Sequence, residues 1–305
     1  MLDGELRVAL APGIVPARDS RGRASLMQNQ PRILVFDSGL GGLTVFSEVA
    51  KVRPDAAIVY AADDAGFPYG PLSEVALVAR VVAVVGNLIE AHAPDLVVVA
   101  CNTASTLVLP HLRARWPQVP FVGTVPAIKP AAAASRTKII AVIATPGTVA
   151  RDYTRALISD YAAGCRVVLV GSARLAGLAE AHMRGEAIED EVLREEIAPC
   201  FVEEDGRRTD VIVLACTHYP LLIDCLERQA PWPVTWIDPA PAIARQAARV
   251  LAERLPGGPI NGPIEGQVQT GQAVFTSGAP IEVALDRALR RRGLVPLMSA
   301  AVAVT

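Results

Sequence analysis

The most constraining feature of this chain is a rhythm. Short, continuous runs of β-branched and other apolar residues alternate with longer amphipathic stretches. The runs are Ile33–Phe36, Ala57–Ala61, Leu96–Ala100, Ile139–Ile143, Val167–Val170, Val211–Ala215 and Val234–Ile237. A strand that is apolar at every position, rather than at alternate ones, is covered on both faces. That is the signature of a parallel sheet. Between the runs the spacing predicts helices over Leu43–Val52, Ser73–Ala91, Thr103–Arg115, Thr148–Tyr161, Tyr219–Gln229 and Ala242–Leu255. Strand and helix in alternation imply an α/β class with right-handed crossovers.

An internal repeat divides the chain. Asp95-Leu-Val-Val-Val-Ala-Cys101-Asn-Thr-Ala-Ser105 resembles Asp210-Val-Ile-Val-Leu-Ala-Cys216-Thr-His-Tyr-Pro220, and Val35-Phe-Asp-Ser-Gly-Leu-Gly-Gly42 is echoed more faintly by Val142-Ile-Ala-Thr-Pro-Gly-Thr148. The simplest reading is two similar lobes, each a mostly parallel sheet flanked by helices, with a cysteine at the C-terminal end of one strand in each. The low-complexity run Ala131–Ala134 marks a boundary near Pro126–Arg136. Residues 31–127 plus 237–296 are expected to form the first lobe and 128–236 the second. Residues 1–30, rich in Arg, Ser, Gly and Pro and without sustained period, read as a poorly ordered extension, with Met27 an alternative start; 297–305 read as a tail.

Composition narrows the function. Lys+Arg number 29 and Asp+Glu 31, a net charge of −2. Nucleic-acid binding needs a dense basic surface, so a small molecule is the expected partner. No apolar run reaches the roughly 18 residues of a membrane span; Val75–Ile89 is interrupted by Arg80, Gly86 and Asn87. Early Asp3 and Glu5, with Pro12 and Pro16, do not fit a secretory signal, so the cytoplasm is the expected compartment. The five cysteines are odd in number and lack a C-x-x-C pair, so free thiols are expected rather than disulfides or zinc.

Three constellations carry chemistry. Cys101 and Cys216 fall where open α/β sheets bind ligands, beyond strand C-termini. Each precedes an expected helix, and a helix N-terminus favours the thiolate, a nucleophile and base. A single such cysteine is more often packing; a pair at equivalent repeat positions, beside Asn102-Thr103 and Thr217-His218, is not. Cys165, Cys200 and Cys225 lack polar neighbours and read as packing. The turn Asp37-Ser38-Gly39-Leu40-Gly41-Gly42 follows a strand and could admit an anion to its backbone, or could be an ordinary capped turn. It matches neither dinucleotide nor P-loop spacing. Asp63-Asp64-Ala65-Gly66-Phe67-Pro68-Tyr69-Gly70 presents a phenol and a bare amide on a turn. His92, His111 and His182 have no such context, and no spaced carboxylates suggest a metal. Glu186–Glu204 reads as a solvated helical face.

These motifs, with Ala144-Thr-Pro-Gly-Thr148, Trp236-Ile-Asp-Pro-Ala240 and Phe275-Thr-Ser-Gly278, stand in the order found in the glutamate racemase family, which the chain resembles from Pro31 to Gly293. The resemblance implies cofactor-independent interconversion of L- and D-glutamate in a cleft between two α/β lobes, with D-glutamate passing to peptidoglycan precursors, and a homodimer. It implies that Cys101 and Cys216 are the catalytic acid and base. Asp37, Ser38, Tyr69, Gly70, Asn102, Thr103, Thr217 and His218 would hold substrate, and Asp37 and His218 would also assist the thiols. Glu180 is the best match for a further family glutamate. The chain departs from the family at Ser172-Ala173, usually Cys-Pro, and at Ala215, usually Gly.

The chemistry suits the pattern. Racemisation removes the Cα proton from one face and returns one to the other, which two fixed bases do without reorientation. One must be thiolate while the other is thiol. The three lysines, Lys51, Lys129 and Lys138, lack a Schiff-base setting, so no electron-sink cofactor is implied. Donors from Asn102, Thr103 and Thr217 could stabilise the carboxylate where charge grows. Aspartate or hydantoin racemases and one-cysteine decarboxylases share the plan, and a non-enzymatic amino-acid-binding protein would need no thiols.

Overall fold

The computed structural model describes residues 30–254 and 271–297. Residues 1–29 and 298–305, most of the expected extension and tail, lie outside the described residues.

One sheet begins with β1 (Arg32–Asp37), β2 (Ala57–Ala62), β3 (Leu96–Val99) and β4 (Phe121–Gly123), joined by α1 (Leu43–Val52), α2 (Glu74–His92) and α3 (Asn102–Arg115). The chain then builds a second unit from α4 (Ile128–Ala134), β5 (Ile139–Ala144), α5 (Pro146–Ala150), α6 (Asp152–Tyr161), β6 (Arg166–Gly171), α7 (Leu175–Met183), α8 (Asp190–Ile197), the small hairpin β7 (Glu203–Glu204) and β8 (Arg207–Arg208), β9 (Val211–Leu214), α9 (Ile223–Gln229) and β10 (Thr235–Ile237). It returns through α10 (Ala240–Arg254), β11 (Gly271–Phe275), α11 (Val283–Arg291) and β12 (Leu294–Pro296). The strand orders are β12-β11-β2-β1-β3-β4 and β10-β9-β5-β6, with every pairing in these two sheets parallel.

The repeat is built into the register. β2-β1-β3-β4 and β6-β5-β9-β10 run in the same order, so β3 and β9 are equivalent central strands. Val35 pairs with Val98, and Val142 pairs with Val213. Cys101 and Cys216 therefore leave their sheets at matched points.

Burial on both faces explains the unbroken apolar runs. In the first sheet Ile33, Val35, Tyr60 and Val98 face α1, α10 and α11, while Leu34, Phe36, Val97 and Val99 face α2 and α3. In the second, Ile143, Ile212 and Leu214 pack with α7, α8 and α9, and Ile140, Val142 and Val213 with α4 and α6. The strand side chains alternate between two cores, so neither face tolerates a polar residue.

Several expectations need correction. Ala131–Ala134 lies within α4, where Ala131 is fully buried. The helix expected over Thr148–Tyr161 breaks at Arg151, whose backbone is extended (φ −70°, ψ 137°). Glu186–Glu204 is not one solvated face: α8 buries Leu193 and Ile197. The α2 helix is longer than the Val75–Ile89 run, and its 19 residues with hydropathy 1.6 have the length and composition of a membrane span. Its Leu77, Val81, Val84, Val85 and Leu88 are instead buried in the core.

Candidate active site

The turn after β1 lies between the two cysteines. Its Asp37 is fully buried, and Oδ2 accepts hydrogen bonds from the backbone N–H of Gly42 at 2.9 Å and Gly39 at 3.4 Å. On the second unit's side, Thr217 Oγ1 donates to Asp37 Oδ1 at 3.3 Å. On the first unit's side, the Cys101 thiol lies 3.7 Å from Ser38 Oγ. The glycines let this turn approach closely. A Cβ on Gly41 would strike His218 Nδ1 and lie 2.7 Å from both the His218 backbone nitrogen and Thr217 Oγ1, and one on Gly39 would strike Glu180 and His218.

Cys101 caps α3 in extended conformation (φ −68°, ψ 121°) and is 5% exposed. The thiolate expected at this helix N-terminus is not what the setting favours. Burial, and next the charge of Asp37, push the Cys101 thiol up from its ordinary value of 9.0. Desolvation of a charged sulfur outweighs the helix end and the Ser38 hydroxyl. The sequence pattern registers the strand end but not the depth.

Cys216, 6% exposed, is not at an α-helix N-terminus. It is followed by a 3-10 turn over Tyr219–Leu222 before α9, because Pro220 begins a tight turn. Its sulfur faces the His218 ring instead, at 3.9 Å from Nδ1. The opposite nitrogen, Nε2, lies 2.9 Å from Glu180 Oε1, which also accepts the Leu40 N–H at 2.5 Å. Phe67 covers the imidazole, ring centroids 5.3 Å apart. Burial alone would lower the His218 pKa. The hydrogen bonds to Cys216 and Glu180 and the charge of Asp37 overcome it and hold the ring well above 6.5. Burial opposes ionisation of Glu180 too, yet its bond to His218 brings its pKa below 4.5. His218 and Glu180 are thus an imidazolium–carboxylate pair beside the Cys216 sulfur. Asp37 is raised above 3.8, chiefly by burial.

The remaining residues fall into place around these. Asn102 is 2% exposed, and neither its amide nitrogen nor its oxygen has a partner in the protein. Buried amides are ordinarily paired, so this one is built for something that enters. Thr103 Oγ1 meets Thr145 Oγ1 at 3.2 Å and Thr148 Oγ1 at 3.5 Å. These two hydroxyls from the other unit were missed, although the Ala144-Thr-Pro-Gly-Thr148 motif contains them. Arg151 of the same segment pairs with Glu74 at the start of α2. The Tyr69 hydroxyl donates to Asp63 Oδ2 at 2.5 Å. Gly70 is open, with nothing within 4 Å of an added Cβ. Ser172 Oγ accepts the Leu175 N–H at 3.0 Å at the start of α7. Among the described residues no group of three or more His, Cys, Asp or Glu is arranged to hold a metal.

Two sheets of matched topology each deliver one cysteine and its hydroxyl-bearing neighbours toward a shared buried turn. The family model for Asp/Glu/hydantoin racemases matches residues 44–247, and the chain belongs to this family. Its relatives include glutamate racemases of Sinorhizobium fredii, 54% identical over 86% of this chain and 95% of the relative, and of Brucella canis, 51% identical over 90% and 95%. The crystal structure of Escherichia coli glutamate racemase in complex with L-glutamate and the activator UDP-MurNAc-Ala is similar with a TM-score of 0.78 and 38% identity, covering 88% of this chain and 97% of that one.

Proposed function

We propose that the enzyme interconverts L- and D-glutamate by a two-base mechanism in which Cys101 and Cys216 exchange a proton with opposite faces of Cα, without a cofactor. The observation that carries this reading is the placement of two topologically equivalent cysteines at matched strand ends facing one buried turn, with unlike neighbours. Burial and Asp37 keep a proton on Cys101, while the His218 imidazolium faces the Cys216 sulfur. One thiol and one thiolate are what a two-base racemase needs before its first step. In one direction Cys216 abstracts the proton and Cys101 donates one. In the other direction the roles are reversed, with His218 beside Cys216 and Asp37 beside Cys101.

Asn102 offers a donor and an acceptor to the α-amino and carboxylate groups, beside the hydroxyls of Ser38, Thr103 and Thr217 and the backbone at Gly70. Negative charge growing on the carboxylate as the carbanion forms is met by donors already in place. Glutamate is favoured over aspartate by the relatives at 51 to 54% identity, all glutamate racemases. A role in supplying D-glutamate for peptidoglycan agrees with the UDP-MurNAc-Ala activator of the E. coli relative. A cytoplasmic homodimer completes the proposal.

The test is racemisation of L-glutamate in D2O. Early D-glutamate should carry deuterium at Cα while the remaining L-glutamate keeps protium. Cys101→Ser and Cys216→Ser should each lower turnover by about 10³-fold or more, the scale of losing an acid–base group. Ordinary turnover by either variant would overturn the two-base assignment.

A further inference from the structure

Two sequence motifs have no part in the proton transfer, Asp63-Asp64 and Thr276-Ser277, and they meet in the fold. Asp63 is fully buried at the end of β2 and gathers four donors. Arg80 of α2 binds it in a two-point fork, Nε to Oδ2 at 2.6 Å and Nη2 to Oδ1 at 2.7 Å. Thr276 Oγ1, from the segment after β11, donates to Oδ1 at 2.7 Å. The fourth donor is the Tyr69 hydroxyl, to Oδ2 at 2.5 Å. The next residue, Asp64, accepts Ser277 N–H at 2.8 Å and Ser277 Oγ at 2.5 Å. The loop that carries Pro68-Tyr69-Gly70 is therefore tied at its root to a strand that joins the sheet more than two hundred residues later. Tyr69 is 2% exposed and packs in the same apolar cluster as Cys101.

We propose that Asp63 is a positioning residue for substrate: it holds the Tyr69 phenol so that the ring and the Tyr69-Gly70 backbone wall the cleft beside Cys101, while the hydroxyl takes no part in binding. A carboxylate that accepts the phenol proton leaves none for a substrate carboxylate. Burial and the Asp63 charge push the Tyr69 pKa well above 10.0, so the phenol keeps its proton. Rigidity at this point matters because an ångström of misplacement in a substrate-contacting wall costs turnover. Arg80 and Thr276 act one step further out, by fixing Asp63.

The inference rests on the glutamate racemase reading, which the wild-type assay tests separately. The experiment is a double-mutant cycle on glutamate KM and kcat with Asp63→Asn and Tyr69→Phe. Each single variant is expected to raise KM about 10-fold, with a smaller change in kcat, and the double variant to be no worse than either single. A purely structural role would lower the melting temperature and the active fraction without moving KM. Should Asp63→Asn fail to fold, Thr276→Val, which keeps the ion pair, replaces it. Its rise in KM, about 3-fold, must vanish in the Tyr69→Phe background. Additive effects, or a KM raised by Tyr69→Phe while Asp63→Asn and Thr276→Val leave it unchanged, would show that the hydroxyl contacts substrate directly and overturn the proposal.

Discussion

Asn102→Ala should make the protein more stable while disabling it. The side chain is 2% exposed, and both polar ends of its amide lack a partner. A buried polar group left unpaired costs about 1–3 kcal/mol. Removing the amide relieves that penalty, and a small new void returns part of it. The net gain should be about 1–2 kcal/mol. For a protein of this size each kcal/mol moves the melting temperature by about 2–4 °C, so a rise of about 2–8 °C is expected. The gain should shrink or reverse in saturating D-glutamate, because ligand stabilises only the protein that can bind it. The assay is thermal unfolding of both proteins with and without D-glutamate, alongside kcat/KM. A loss of about 10²-fold in kcat/KM matches two charge-assisted bonds to substrate. If Asn102→Ala melts lower than the parent and still racemises normally, the amide is structural and the ligand assignment is wrong.

Other consequences follow from the same site. His218 is held above its ordinary 6.5, so the folded protein keeps a proton that the unfolded chain loses. That stability is complete below pH 6.5 and is lost as pH rises through the folded value. His218→Asn should therefore flatten the alkaline decline in melting temperature. Glu180 has the opposite sign, since its pKa is lowered from 4.5. Its contribution is present above pH 4.5 and disappears as pH falls through the folded value, so Glu180→Gln should flatten the acid side and weaken racemisation together. Gly41→Ala forces a Cβ against His218 Nδ1 and within 2.7 Å of Thr217 Oγ1 and the His218 backbone nitrogen, and kcat/KM should fall by roughly 10-fold or more for about 1–3 kcal/mol of strain. Unchanged kinetics in that variant would mean that the turn has room the structure denies.

The sequence by itself determined the class of fold and the two cysteines. Strands apolar at every position have only one use, in a sheet covered on both sides, and a repeat with a cysteine at the same strand end in each half must place both at equivalent exits. Val35 opposite Val98 and Val142 opposite Val213 is that repeat expressed as register. What the sequence left undecided depends on depth and on contacts between distant segments. A helix-end rule expects a thiolate at Cys101, but desolvation decides the opposite. Glu180 meets Leu40 and His218, which share its Oε1, only through the fold. Tyr69 carries a phenol in any reading, yet only the fold turns it toward Asp63 and Thr276. Charge and hydrogen-bond energies change with distance and burial over a few ångströms, and those are properties of the folded chain rather than of residue order.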